Sequence, residues 1–408
     1  MLKTLPIILF LAGYGGAAMA APPELPVRPG DFWLGGEASA VPAPQPADAV
    51  RFDSLAALTE HALRTRSDAR AAWFGIQAEA DRLDAARADN WPTLTGQISF
   101  TRSQALSSSG ASVPVLHRYG PSLSLAYVLY DFGARAAGIE AQRYQLVSTL
   151  LAGNRTLQDL VSEVETAYHA QVAAHGALDA QNEQVVSLAE SEKAVQVRLE
   201  GGLASRADML RARAARVEAE LARDAAVRDL AKAEAVLKQA AGIAQTQTLV
   251  LDWPRAAPPD LDAALLLADL LAEAERQRPD LRALRASAAA ARSEAERARA
   301  ARWPSLALTG NTGRTFFLED GRIPSTTYSI GLNLSIPLFD GGRLAAQARA
   351  AERDAERLAA QADAQRDTVA LDVTQAWQDA QYAQTARTGV AVQYESAAES
   401  ARAAEARY

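Results

Sequence analysis

The stretch Ala88-Asp89-Asn90-Trp91-Pro92-Thr93-Leu94-Thr95-Gly96-Gln97-Ile98-Ser99-Phe100 comes back, in outline, as Ala301-Arg302-Trp303-Pro304-Ser305-Leu306-Ala307-Leu308-Thr309-Gly310. Each copy follows an Arg/Ala/Glu helical pattern, passes a Gly-bearing loop and returns. The first return is Ser122-Leu123-Ser124-Leu125-Ala126-Tyr127-Val128-Leu129-Tyr130-Asp131-Phe132-Gly133. The second is Tyr328-Ser329-Ile330-Gly331-Leu332-Asn333-Leu334-Ser335-Ile336-Pro337-Leu338-Phe339-Asp340-Gly341-Gly342. A much longer helical pattern follows each. The chain therefore reads as two internal repeats, each a strand, a loop and a returning strand between helices.

Within the strands the side chains alternate. Leu94, Gly96, Ile98 and Phe100 oppose Thr93, Thr95, Gln97, Ser99 and Thr101, and Tyr328, Ile330, Leu332, Leu334 and Ile336 oppose Ser329, Gly331, Asn333 and Ser335. A period of two places the sets on opposite faces. Small uncharged residues on the polar face suit a wet lumen, and Tyr and Pro near the strand ends suit membrane-interface girdles. A half-exposed sheet on a soluble core has the same periodicity, so the strands alone leave both readings open.

The N-terminus narrows the choice. Residues 1–20 carry Lys3, an apolar run from Leu5 to Leu11, and Ala18-Met19-Ala20 before Ala21, the pattern of a secretory signal peptide. There is no cysteine, hence no disulfide and no lipid-anchor acceptor. No later stretch approaches the roughly 20 apolar residues of a spanning helix. An exported chain of this kind is soluble or inserts as a barrel. A formal charge of −7 argues against nucleic acid as a partner. The apolar fraction of 49% is largely alanine and aromatics are only 6%, a balance suited to long helices in slender bundles.

In order, residues 21–50 form a Pro-rich extended arm with Pro22, Pro23, Pro26, Pro29, Pro42, Pro44 and Pro46. Repeat one is placed at residues 51–241. Asp53 is its first candidate N-cap, for a helix to about Arg64, and a second helix opens at Ser67 or Asp68 and runs to Asn90. The strand pair covers residues 92–131. From about Phe132 to Leu199 the pattern is helical, with Leu157, Leu160, Val161, Val164 and Tyr168 on one stripe, which predicts a helix roughly 100 Å long. Gly201-Gly202 breaks it and Ser205 caps an antiparallel return to about Ala241, expected to match its partner in length. Residues 242–260 read as a linker or equatorial region. Repeat two is placed at 261–408, with helices, a strand pair at 304–340 and one long helix whose seam is Val369, Val373, Ala376 and Trp377. Asp131 aligns with Asp340, and Arg198 with Arg407. The return helix of repeat two is absent, which predicts an apparent C-terminal truncation and a final helix without an antiparallel partner.

Enzyme chemistry finds no purchase, and no catalytic residue, metal ligand or cofactor site is assigned. His61, His117, His169 and His175 lack metal-ligand spacing. Gly201-Gly202-Leu203-Ala204-Ser205 lacks the Lys-Ser/Thr ending of a phosphate loop. Met1, Met19 and Met209 are too few for a thioether copper relay. Ser107, Ser108, Ser109 and Gly110 read as a flexible extracellular loop.

Four strands cannot close a barrel, and lipid forbids an open sheet edge. If the strands span a membrane, several copies pool them, and the narrow helical seams bury against each other in the same ring. The doubled arrangement resembles the TolC-like outer-membrane efflux channel family. The resemblance runs from about Asp53 to the C-terminus and rests on three features in order. They are Trp91-Pro92 and Trp303-Pro304 opening the strand pairs, the Tyr/Phe-Asp-x-Gly turns ending in Asp131-Phe132-Gly133 and Asp340-Gly341-Gly342, and the hairpin tip from Gly202 to Asp208.

The resemblance implies an α+β membrane protein: a homotrimer with a twelve-stranded outer-membrane β-barrel in lipid, four strands per protomer, continued by a periplasmic α-helical barrel. It also implies a passive exit duct for small-molecule efflux or type I protein secretion. Such a duct docks to a periplasmic adaptor and an inner-membrane ABC or RND transporter. Gly201, Gly202, Leu203, Ala204, Ser205 and Asp208 are the expected docking tip, though Asp208 also reads as a plain surface carboxylate near a turn. Two readings compete. A periplasmic helical-hairpin adaptor calls for one hairpin between lipoyl halves, and a soluble coiled-coil scaffold leaves the strand alternation unexplained.

Overall fold

The computed structural model describes residues 49–104, 115–251, 266–319 and 321–405. The signal peptide, nearly all of the Pro-rich arm, the Ser107–Gly110 loop, residues 252–260 of the linker and Arg407-Tyr408 lie outside them.

The helices start and stop where local chemistry dictates. In α1 (Leu55–Thr65) the N-cap is Ser54, not Asp53, and its hydroxyl accepts the Ala57 N–H at 3.1 Å. Helix α2 (Ser67–Ala88) ends ahead of Trp91-Pro92, because the residue before proline is pushed out of the helical region. Helix α3 (Ala134–Glu200) has 67 residues, about 100 Å at 1.5 Å each. Gly202 takes φ 75°, which a side chain would disfavour, and α4 (Arg206–Ala241) runs back. Gly242, at φ 72°, ends α4 with Ile243 donating to the Lys238 carbonyl at 2.8 Å. Helices α5 (Leu267–Gln277), α6 (Pro279–Ala300) and α7 (Arg343–Glu405) complete the set.

Helix α4 starts behind Ser205 and ends at Ala241 as expected, but with 36 residues against the 67 of α3 it does not match its partner in length. Along its first half, α3 packs instead against α6 and α2. Helix α7 likewise packs on α6 and α5, and Val369 on its seam is buried. The expectation that this seam lacks an antiparallel partner is therefore corrected for its first half. A helical stripe needs some apolar surface to cover it, and here that surface comes from a helix outside the hairpin.

The linker or equatorial segment contains a strand that its sequence does not reveal. Leu249–Leu251 is a strand (β4) paired in parallel with β1 (Val50–Phe52). Beside it lies the best-buried core, Leu58, Ala62, Val164, Ala167, Tyr168, Leu237, Ala240, Ala241 and Ile243, where α1, α3 and α4 converge.

The remaining strands, β2 (Thr93–Ser103), β3 (Leu116–Tyr130), β5 (Ser305–Phe317) and β6 (Ser325–Ser335), form one antiparallel sheet in the order β2-β3-β5-β6. A bulge at Leu129 shifts the β3–β5 register near the helices. Strands β2 and β6 are its edges, and almost every residue of both is exposed.

Candidate functional site

Register tests the alternation. Leu94, Leu125, Gly310 and Ile330 lie in one row across the four strands, and Thr95, Ser124, Asn311 and Ser329 form the next. Opposed residues of antiparallel strands share a face, so in these middle rows one face is apolar and the other small and polar. Ile98 is 86% and Ile330 80% exposed. So bare a sheet of apolar side chains points to a surface that something else covers. At the helical end Trp303 stacks on Phe132 at 5.6 Å, and Phe132 meets Tyr130 edge-on at 4.9 Å. Trp91 is exposed. Pro92 and Pro304 stand immediately before β2 and β5. Gly120 is required by closeness: a Cβ there would lie 1.8 Å from the Arg314 carbonyl oxygen.

The strand-to-helix turns use one device twice. The Asp131 carboxylate accepts the Arg135 N–H at 3.0 Å, and that of Asp340 accepts the Leu344 N–H at 2.7 Å. Each satisfies a first-turn donor of a long helix. Gly133, Gly341 and Gly342 all have positive φ. The Leu344 and Gly342 N–H groups hold the Asp340 carboxyl below its usual pKa range.

At the far end of α3, Gly201 and Gly202 make the turn, Leu203 is 84% exposed, and Ala204 precedes the cap. Ser205 and Asp208 form a reciprocal capping box. The Ser205 hydroxyl accepts the Asp208 N–H at 3.2 Å, and the Asp208 carboxylate accepts the Ser205 N–H at 3.1 Å. The Ser205 hydroxyl also donates to Asp208, and these bonds hold the Asp208 carboxyl below its ordinary pKa. The structure thus gives Asp208 a capping role and leaves Leu203 as the protruding group of the tip. Farther along the hairpin Arg216 joins α4 to Glu192 of α3 at 2.5 Å and also pairs with Glu220.

One pair of devices escaped the sequence reading. Arg66 precedes α2, bonds Asp68 at 2.6 Å, reaches Glu163 of α3 at 3.2 Å and donates to the Gln239 carbonyl at 2.9 Å. Arg278 precedes α6, bonds Asp280 at 2.7 Å and reaches Asp372 of α7 at 3.2 Å. Asp280 also receives Gln365 at 3.2 Å and lies 3.7 Å from Arg155 of α3. Burial works against the charge of Asp280, yet the Arg278 and Leu281 hydrogen bonds outweigh it and lower its pKa. The signal was an Arg-x-Asp at each helix start, Arg66-Ser67-Asp68 and Arg278-Pro279-Asp280.

Comparison with known proteins agrees with this geometry. Residues 58–243 and 270–408 match the family described as "Outer membrane efflux protein". Over 344 residues the chain is 31% identical to protein CyaE of Bordetella pertussis, covering 83% of this chain and 71% of CyaE. It is 26% identical over 371 residues to the toluene efflux pump outer membrane protein TtgI of Pseudomonas putida, covering 86% and 77%. A membrane protein from Pseudomonas aeruginosa superposes with a TM-score of 0.66 at 25% identity, over 77% of this chain and 73% of that one. The chain belongs to the outer membrane efflux protein family and is an outer-membrane exit channel extending into the periplasm.

Proposed function

We propose that three copies pool their sheets into one closed β-barrel, continued by a helical tunnel, and that the assembly is a passive duct with no catalytic step. The observation that carries this is the sheet itself, with one face apolar through its middle rows, an opposite face of mostly small polar side chains, and two unpaired edges. Lipid tolerates no open edge, so the sheet is completed by its neighbours. On this reading the apolar face, with Leu94, Ile98, Leu125, Ile330 and Leu334, meets lipid. Thr95, Gln97, Ser124, Ser329 and Asn333 line the lumen. The repeated order of a short helix, a 22-residue helix, two strands and a long helix supports an internal duplication. Duplication supplies four strands from a two-strand unit.

The tip from Gly201 to Asp208 is the docking end for a periplasmic adaptor and its inner-membrane transporter. Its place, about 100 Å along α3 from the sheet, supports this, as does the exposed Leu203. The purified protein should run as a trimer resistant to sodium dodecyl sulfate and conduct ions in planar bilayers. A cysteine at Ala204 should cross-link to a periplasmic partner. A monomer without conductance overturns the duct, and labelling of the Ala204 position from outside intact cells overturns its orientation.

A further inference from the structure

On the side away from the helices, the apolar face ends in a row of rings. Phe100, Tyr119 and Phe316 stand opposite one another in register, and Tyr119 stacks on Phe316 at 5.4 Å. From this row to Tyr130, β3 spans about 36 Å of strand. Tilted as barrel strands are, that rises roughly 28 Å, close to the apolar band between the two aromatic girdles of an outer-membrane barrel. The rings thus stand at the outer interface.

Arg314 shares their face, two positions before Phe316, and its guanidinium sits 5.3 Å from the centre of the Phe316 ring. Arg102, two rows beyond the rings on the same face and opposite His117, adds positive charge at the same rim. Glu319 is the acidic side chain here among the described residues. It is taken up by His117, whose backbone N–H donates at 2.8 Å and whose ring Nδ1 lies at 2.9 Å. About 13 Å nearer the helices along β5, the same face carries a shallow hollow. Leu94, Leu123, Leu125, Tyr328 and Ile330 wall it, and Gly310 leaves its floor open.

A guanidinium on a lipid-facing strand is costly at the midplane and nearly free at the interface. It is planar, weakly hydrated and matched to phosphate oxygens. A cation steadied on a ring above an apolar hollow has the chemistry of a head-group phosphate with an acyl chain beneath it. We propose that Arg314 and this hollow bind a phosphorylated, multiply acylated glycolipid of the outer leaflet. Its phosphate lies on Arg314 and one acyl chain runs along Leu125, Gly310 and Ile330. The site rests on the reading that the apolar face points outward.

The test uses trimer purified from outer membranes, delipidated, and offered bis-phosphorylated lipid A, with bound lipid read by native mass spectrometry. Arg314→Ser should lower retained lipid A about tenfold, and Arg314→Lys should lower it less. Dephosphorylated lipid A should bind like the Arg314→Ser protein binds the intact lipid. A nitroxide at Tyr328 reads the face independently, through broadening by lipid-soluble oxygen or by an aqueous nickel complex. If oxygen broadens it but Arg314→Ser retains lipid A like the parent, or the dephosphorylated lipid binds equally well, the lipid site is overturned and the outward face stands. If the nickel complex broadens it, the outward face falls and the site with it.

Discussion

The sheet and the helical body are completed in opposite ways. In the body, stability is local to the chain. Leu58, Val164, Leu237 and Leu281 are wholly buried, the helix ends are capped, and two arginine clamps tie short helices to long ones. In the sheet, backbone pairing is regular, yet β2 and β6 bury almost nothing and face nothing within the chain. The difference teaches where each part gets its free energy. Burial against its own neighbours holds the body, while in the proposed assembly lipid and other copies finish the sheet. Mutations in the sheet should therefore register in assembly, and mutations in the body in thermal stability.

The strongest test sets two neighbouring sheet positions against each other. Leu332→Arg should cost about 2–4 kcal/mol near the bilayer midplane, whereas Asn333→Arg on the opposite face should be tolerated. Trimer yield in outer membranes reads both, and equal yields would erase the difference between the faces. Next comes a pair of glycines. Gly120→Ala forces a methyl into the Arg314 carbonyl and should cost about 1–3 kcal/mol, while Gly96→Ala meets nothing within 4 Å. The heat resistance of the trimer should fall for the first alone.

In the body the effects are smaller. Arg66→Ala removes bonds to Asp68, Glu163 and the Gln239 carbonyl and should cost about 2 kcal/mol. Arg278→Ala, which loses no α4 carbonyl bond, should cost less in a thermal melt followed by circular dichroism. Asp131→Ala and Asp340→Ala each remove a first-turn cap and should cost about 1 kcal/mol. Similar costs would support equivalent turns.

The smallest effect is on pH. The folded pKa of Asp280 lies below its unfolded value. Its contribution is therefore present above the ordinary carboxylate pKa of about 4 and is lost as pH falls through the lower folded value. Melting temperature should drop over that acid window, and the drop should shrink in Asp280→Asn.

Much of this was legible because it is written between near neighbours in the chain. The two-residue alternation of Leu94 to Phe100 and of Tyr328 to Ile336, the Trp-Pro stops, the Asp turns and the Ser205 cap each depend on a few adjacent residues. The shortfalls have one physical cause. Leu249–Leu251 has too few residues to show a period, and its partner Val50–Phe52 lies some 200 residues away. The bounds of α4 are legible, but not that it covers only part of α3, because nothing local tells a helix that its partner will be shared with α6. Asp208 reads from the sequence as a surface carboxylate or a docking residue, and only the three-dimensional geometry adds its capping role.

The sequence by itself determined which of the long segments are helix and which are strand, which strand face is apolar, and where the hairpin turns, because periodicity and capping are short-range. Only the tertiary structure decided the β2-β3-β5-β6 order, the rows that place Leu94 beside Leu125 and Ile330, and the reach of Arg66 to Glu163 and Arg278 to Asp372. Those depend on which surfaces meet after the chain has collapsed. Packing complementarity between distant segments sets that choice, and a local pattern carries no record of it.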